Sequence, residues 1–197
     1  MAGKRSSVYG VGINDANYLV EPIINGKKHV CPAYMTWKSM LCRCYSGKYQ
    51  KGKPTYIGVS VCDEWLSFMN FRDWWVDNHI DGWHLDKDLL TDNKEYSANN
   101  CIYIPSWLNA FTIDSGASRG ENPIGVSFSK SNNQFMSRCC NPISGKREYL
   151  GYFKSADDAY NAWRSRKLDI ALRLKSQMDS IDTRIYHRVV DIITKSK

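Results

Sequence analysis

Between residues 84 and 109 the chain gathers side chains whose oxygens can hold a hard divalent cation: Asp86, Asp88, Asn100 and Asn109. Asn100 follows Asp86 by fourteen residues, and Asn109 comes nine residues later. A cation such as Mg²⁺ or Mn²⁺ stabilises charge on the leaving oxygen of a phosphodiester, while a nearby base activates the attacking water. Two residues compete for the role of base. Lys87 adjoins Asp86, but a lysine with an ordinary pKa near ~10.4 is a poor base unless burial or the metal lowers that value. It can instead stabilise phosphate charge and leave deprotonation to another group or to water. His84 is the other candidate. In a regular strand it shares a face with Asp86 and Asp88, while Lys87 points away. The plain alternative is that Asp86 and Asp88 are surface strand residues, Asn100 makes a turn, and Asn109 bonds locally.

The elements that must carry these residues follow from the local pattern. Residues 84–90, HLDKDLL, alternate as a strand does; the turn-rich TDNKEYSANN leads to a second strand, CIYIP, and to a short helix, Ser106–Phe111, opened by a capping serine. Upstream, Pro32 suits the first turn of a helix over 32–46, with Tyr34, Trp37, Leu41 and Cys44 on one face. A basic loop, Lys48 to Lys53, a strand, Ile57–Cys62, and a helix from Asp63 to Asn78 come next. Trp65, Phe68, Met69, Phe71, Trp74 and Trp75 give that helix a broad apolar face, which reads as core rather than a base-stacking platform. Residues 1–30 read as loops and short extended pieces. Residues 112–122, TIDSGASRGEN, are small and polar, as a domain boundary is.

Beyond that boundary, GVSFS, QFMSRC and KREYLGYF read as three strands, and Ser155 caps a helix reaching about Lys175. Met178, Ile181, Ile185, Val189 and Ile192 continue a helical stripe toward the C-terminus.

Composition bounds the possibilities. The chain has 197 residues, 43% hydrophobic and 24% charged, ordinary for a folded protein. No apolar run approaches ~18 residues, so no membrane span is expected. The opening MAGKRSS leads into no apolar stretch, so a cytoplasmic protein with reduced thiols is expected. The net charge of +7 divides unevenly, as +7 over residues 1–62, −6 over 63–120 and +6 over 121–197. Basic flanks suit a polyanion, and an acidic centre suits one only if cations sit there.

Over residues 31–111 the chain resembles an HNH-type endonuclease family common in bacteriophages and bacterial genomes. The resembling words are TWKSMLCRCYS, VCDEWLSFMNFRDW, LDKDLL and YSANNCIYIPSWLNAF. The resemblance implies a ββα-metal core in which Asp86 is the first metal ligand and Asn109 the second, with Asn100 orienting the base. Lys87 stands where a typical member has its base histidine, and related phage sequences share this LDKD-like form. Some HNH proteins carry a structural zinc. Here the paired C-x-x-C knuckles are absent and Cys42-x-Cys44 has the wrong spacing, so a structural zinc is not expected.

Residues 121–174 resemble the ethylene-response-factor (APETALA-type) DNA-binding domain, which also occurs beside HNH segments in phage homing endonucleases. The words are ENPIGVSFS, NQFMSRC and REYLGYFKSADDAYNAW. The resemblance implies a three-stranded antiparallel sheet on one helix, laid in the DNA major groove. Alternation turns Val126, Phe128, Phe135, Ser137 and Cys139 toward the helix. It turns Ser127, Ser129, Gln134, Met136, Arg138, Arg147 and Tyr149 outward. Arg138 and Arg147 would read guanine or grip phosphate, and Gln134 would read adenine. Lys130, Lys146 and Lys154 would meet phosphates at the turns. Ser127 and Ser129 stand where family members that read one sequence tightly often have arginine.

The expected architecture is α+β: an HNH-like nuclease domain over 1–112, a linker over 113–122, and an APETALA-type domain with a helical extension over 123–197. The expected function is a phage homing-type endonuclease, dependent on Mg²⁺ or Mn²⁺, that nicks or cuts double-stranded DNA. The alternatives are an HNH-derived DNA-binding protein that no longer cuts, used for phage regulation or against host defence, and a nucleic-acid mimic that binds a protein partner.

Overall fold

The computed structural model describes residues 7–113 and 121–196, so most of the expected linker, 114–120, lies outside the described residues. Helices and strands are mixed, with a three-stranded antiparallel sheet, as an α+β chain requires. The chain divides into two compact units, 1–103 and 104–197, earlier than the 1–112 span read from the sequence.

The first unit opens with a hairpin of two short strands, β1 (Ile23–Ile24) and β2 (Lys27–Lys28). Helix α1 (Pro32–Tyr45) follows, with Pro32 in its first turn and Tyr34, Trp37, Leu41 and Cys44 buried, as the spacing predicts. The basic segment expected as a loop is helical instead. Ser46 Oγ accepts the Tyr49 N–H at 3.3 Å and so starts α2 (Gly47–Gly52). A 3-10 turn, Pro54–Tyr56, leads to β3 (Ser60–Val61), shorter than the expected Ile57–Cys62.

The helix expected from Asp63 to Asn78 is broken in two. A 3-10 turn spans Asp63–Leu66, and α3 (Phe68–Asn78) begins after Ser67. Ser67 Oγ accepts the Asn70 N–H at 3.3 Å and donates to Asp15 Oδ2 at 2.6 Å, while Asp15 Oδ1 accepts the Met69 N–H at 2.9 Å. A carboxylate from far upstream thus helps cap α3, and those bonds hold Asp15 below the usual carboxylate pKa against its partial burial. β4 (His84–Asp86), β5 (Glu95–Tyr96) and β6 (Ile102–Ile104) complete the unit's strands. β3 pairs with β5 in parallel, Ser60 opposite Glu95.

The core of this unit centres on Trp37, which is wholly buried. Its indole N–H donates to the Trp65 carbonyl at 2.7 Å, and its ring meets Phe68 at a centroid distance of 5.5 Å. Gly12 lies so close that a Cβ there would fall 2.4 Å from Leu41 and 2.9 Å from Trp37. Phe68 and Phe71 face inward as expected, whereas Met69, Trp74 and Trp75 are half-buried at the rim.

The second unit begins with α4 (Ser106–Thr112). Pro105 rather than Ser106 stands at its cap position, with no side-chain cap bond. Strands β7 (Val126–Ser129), β8 (Gln134–Asn141) and β9 (Lys146–Phe153) form the antiparallel sheet in that order. Helix α5 (Ala156–Arg173) packs on it; Ser155 Oγ accepts the Asp158 N–H at 3.1 Å and donates to the Asp158 carboxylate at 2.7 Å. The C-terminal stripe is two helices, α6 (Lys175–Ile181) and α7 (Ile185–Lys195), separated where Asp182 Oδ1 accepts the Arg184 N–H at 2.9 Å. On α7 the buried stripe runs Ile185, Val189, Ile193 at four-residue spacing, with Ile192 half-buried.

Under the sheet, Glu148 receives Arg166 through Nε at 2.6 Å and Nη2 at 3.0 Å, and Asn141 at 2.7 Å. Those bonds hold its carboxyl down at about 2. Lys167 is buried with its ammonium 3.6 Å from the centre of the Phe111 ring, which ties α4 to α5.

Gly125, at φ +77°, leaves no space beside Trp163; a Cβ would sit 2.1 Å from the indole. Gly125→Ala is expected to cost this unit about 3 kcal/mol. The check is a urea transition at lower midpoint with an unchanged slope; a wild-type midpoint would show that Trp163 can retreat.

Candidate metal centre and nucleic-acid face

β4 and β6 form a two-stranded sheet, and α4 follows directly after Pro105, so the chain order here is strand, strand, helix. Asp86 ends β4 because its own side chain turns the chain. Asp86 Oδ1 accepts the N–H of Asp88 at 2.9 Å and of Leu89 at 2.7 Å, an Asx turn that leaves residues 87–90 outside any strand. Asp88 therefore does not continue the alternation, and the expected strand over 84–90 stops at 86. His84 and Asp86 remain two residues apart on β4 and share its face, with His84 exposed.

The two neighbouring charges are treated in opposite ways. Burial pushes the Asp86 carboxyl above its usual pKa, and the two N–H bonds offset this only in part. Lys87 is 5% exposed and turns inward. Its ammonium pairs with the exposed Asp88 carboxylate and lies 5.6 Å from the centre of the Tyr96 ring. The ammonium is thereby held between a carboxylate and an aromatic ring. Beside it a cavity of about 340 Å³ is lined by Tyr56, Thr91 and Lys94 among others.

Asn100 spends its amide on the Glu95 carbonyl at 3.1 Å, in the turn that joins β5 to β6. Asn109 is half-buried on α4, so the two ligands that the family resemblance assigns belong to different units. Among the described residues no three or more His, Cys, Asp or Glu side chains are gathered to hold a metal ion. The donor at hand is one desolvated carboxylate. This fits Mg²⁺, which binds through one or two carboxylates, keeps several waters and takes substrate phosphate oxygens. A cation there would offset the desolvation of Asp86.

All seven cysteines are free. Burial pushes Cys44 up to about 12 and Cys62 and Cys139 up to about 11, so these thiols serve as small apolar groups.

In the second unit the ladder decides which side chains reach outward. Ser127 faces Met136, Ser129 faces Gln134, Arg138 faces Tyr149, and Cys140 faces Arg147. These residues share the side of the sheet opposite Val126, Ser137 and Cys139, which are buried beside α5. Ser127, Arg138, Cys140, Arg147 and Tyr149 are exposed, Ser129, Gln134 and Met136 half-buried, and Lys130, Lys146 and Lys154 exposed at or beside the strand ends. Phe128 departs from the expected pattern. It is exposed at the end of β7, leaning on the Phe135 ring at 5.1 Å instead of entering the core.

One residue of this face escapes simple alternation. Between the pairs Ser137–Gly151 and Arg138–Tyr149 the register slips, leaving Leu150 without an opposite number. The bulge brings Tyr152 to the same side as Tyr149, their rings 5.5 Å apart and both exposed. The signal was Gly151, a glycine inside a strand pattern, here at φ +130°.

The chain matches no family model, no curated protein and no solved structure.

A carboxyl whose pKa is raised by folding stabilises the fold below its unfolded value and loses that contribution as pH rises through the folded value. Asp86→Asn keeps an oxygen for the two N–H donors and removes the buried charge. With EDTA present it is expected to melt above wild type at neutral pH, the gap narrowing as pH falls through the raised folded value and vanishing below about 3.8. Equal melting at neutral pH would mean that the carboxylate is solvated.

Proposed function

We propose that the chain is a divalent-metal-dependent DNA endonuclease of the HNH type. The second unit grips duplex DNA and the first supplies the cutting carboxylate. The observation that carries this reading is Asp86: a desolvated carboxylate, fixed through one oxygen at the end of β4 and sharing a strand face with exposed His84. A bound Mg²⁺ or Mn²⁺ would supply positive charge to the scissile phosphate and to the leaving oxygen.

The chain's own groups do the rest. Asp86 would hold the cation through the oxygen not committed to the main chain. His84 takes the proton of the attacking water through a ring nitrogen, and Lys87, held by Asp88, contributes a fixed positive charge. On the sheet, Arg138 and Arg147 present guanidinium groups to phosphate or guanine edges, and Tyr149 and Tyr152 pack against the backbone between them. Serines at 127 and 129 supply short-range contacts without fixing a base. The face thus favours affinity over stringent sequence choice.

A second reading has its own support. Lys87 stands where the HNH pattern places its base, and its ammonium is committed to Asp88 and Tyr96. On that reading the protein binds DNA and does not cut it.

Supercoiled plasmid incubated with Mg²⁺ or Mn²⁺ is expected to be nicked or linearised by wild type and, more slowly, by Lys87→Met. It is expected to stay intact with Asp86→Ala or His84→Ala. Arg138→Ala and Arg147→Ala should each weaken duplex binding about tenfold and, where phosphate is the partner, lower the salt slope by about 1. Salt-sensitive binding without cutting would move the assignment to the second reading. Neither cutting nor binding would overturn both.

A further inference from the structure

The hairpin of β1 and β2 is exposed along its whole length. All seven residues from Ile23 to His29 are exposed, with Ile23 at 77% and Ile24 at 50%. Its form is set locally. Asn25 and Gly26 both take positive φ, 52° and 72°, the primed turn whose twist matches a two-stranded ribbon. The root is fastened to the body, with the His29 N–H on the Pro22 carbonyl and the Cys31 N–H on the Val20 carbonyl, both at 2.8 Å. Glu21 pairs with Lys28 at 2.7 Å and with Lys38 at 3.7 Å. A short projecting finger results.

The register places Ile23 opposite Lys28 and Ile24 opposite Lys27. Cross-strand partners share a face, so each face of the ribbon carries one isoleucine and one lysine. That division denies another protein a continuous apolar patch. It suits a wedge between stacked base pairs, where apolar contact comes from above and below at once and the Lys27 ammonium meets a flanking phosphate while Lys28 stays with Glu21. The 62-residue stretch that contains the finger carries a net +7, complementary to a polyanion.

We propose that the Ile23–Lys28 ribbon inserts its isoleucines between base pairs of duplex DNA and bends the duplex. This rests on the reading of the chain as a DNA-binding protein and is independent of whether it cuts.

The test uses the full chain in EDTA with a short duplex carrying a donor and an acceptor dye at its ends. Wild type is expected to raise energy transfer on binding. The doubly substituted Ile23→Ser, Ile24→Ser protein alters only exposed side chains and is expected to melt like wild type. It should bind about tenfold more weakly (roughly 1.4 kcal/mol) and leave the transfer of the free duplex unchanged. Wild-type binding without increased transfer, or equal bending by the double variant, would overturn the wedge while leaving the DNA reading in place. A wild-type dimer in sedimentation that the double variant cannot form, with bending unchanged, would assign the ribbon to a second copy and overturn it as well. No binding by either protein would overturn wedge and DNA reading together.

Discussion

The first unit hangs on the indole of Trp37. A buried N–H needs an acceptor, and the one it finds is the carbonyl of Trp65, in the 3-10 turn ahead of α3. That bond fixes the spacing between α1 and α3 across a core that includes Tyr34 and Phe68. The N-terminal segment is pressed onto the same ring at Gly12, where a side chain has no room. From there the Ile13 N–H reaches the Leu66 carbonyl at 2.8 Å, and the Phe68 N–H reaches back to Ile13 at 3.0 Å. Three separate stretches of chain are thus held to one point before any charged residue of the candidate site is placed.

The site itself shows how two adjacent charges are held differently. Lys87 is buried yet has an opposite charge and an aromatic face, so its desolvation is answered. Asp86 is desolvated, and two main-chain N–H groups bond its Oδ1, which compensates a full charge only partly. The positive charge nearest in sequence pairs with Asp88 and offsets the desolvation of Asp86 only in part.

How far the sequence exposed all this depended on the range of the interaction. Helix α1 was legible because Pro32 and the spacing of Trp37, Leu41 and Cys44 are local signals. The sheet-and-helix pattern of the second unit was legible for the same reason, with Ser155 marking the helix start. The break at Ser67 was not, because its partner Asp15 lies 52 residues away. The early end of β4 depends on a single side-chain oxygen turning back on two N–H groups, which alternation of residue types does not report. Burial of Lys87 ran against the rule that lysines face water, and only the fold reveals Asp88 and Tyr96 as the groups that permit it. On the outer face of the sheet the alternation placed Arg138, Arg147 and Tyr149 but missed Tyr152, since a one-residue bulge inverts the parity of every later position in β9.

The pairing of Cys140 with Arg147 has a chemical consequence. Of the seven thiols, Cys140 alone is exposed, and it stands in the middle of the basic sheet face. Cys44, Cys101 and Cys139 are buried, and burial holds all three thiols in the unreactive protonated form. An alkylating reagent therefore meets this sheet face first, without any residue having been replaced. The rate at which Cys140 is modified is a built-in footprint of that surface, slowing when something lies across the strands and recovering when it leaves.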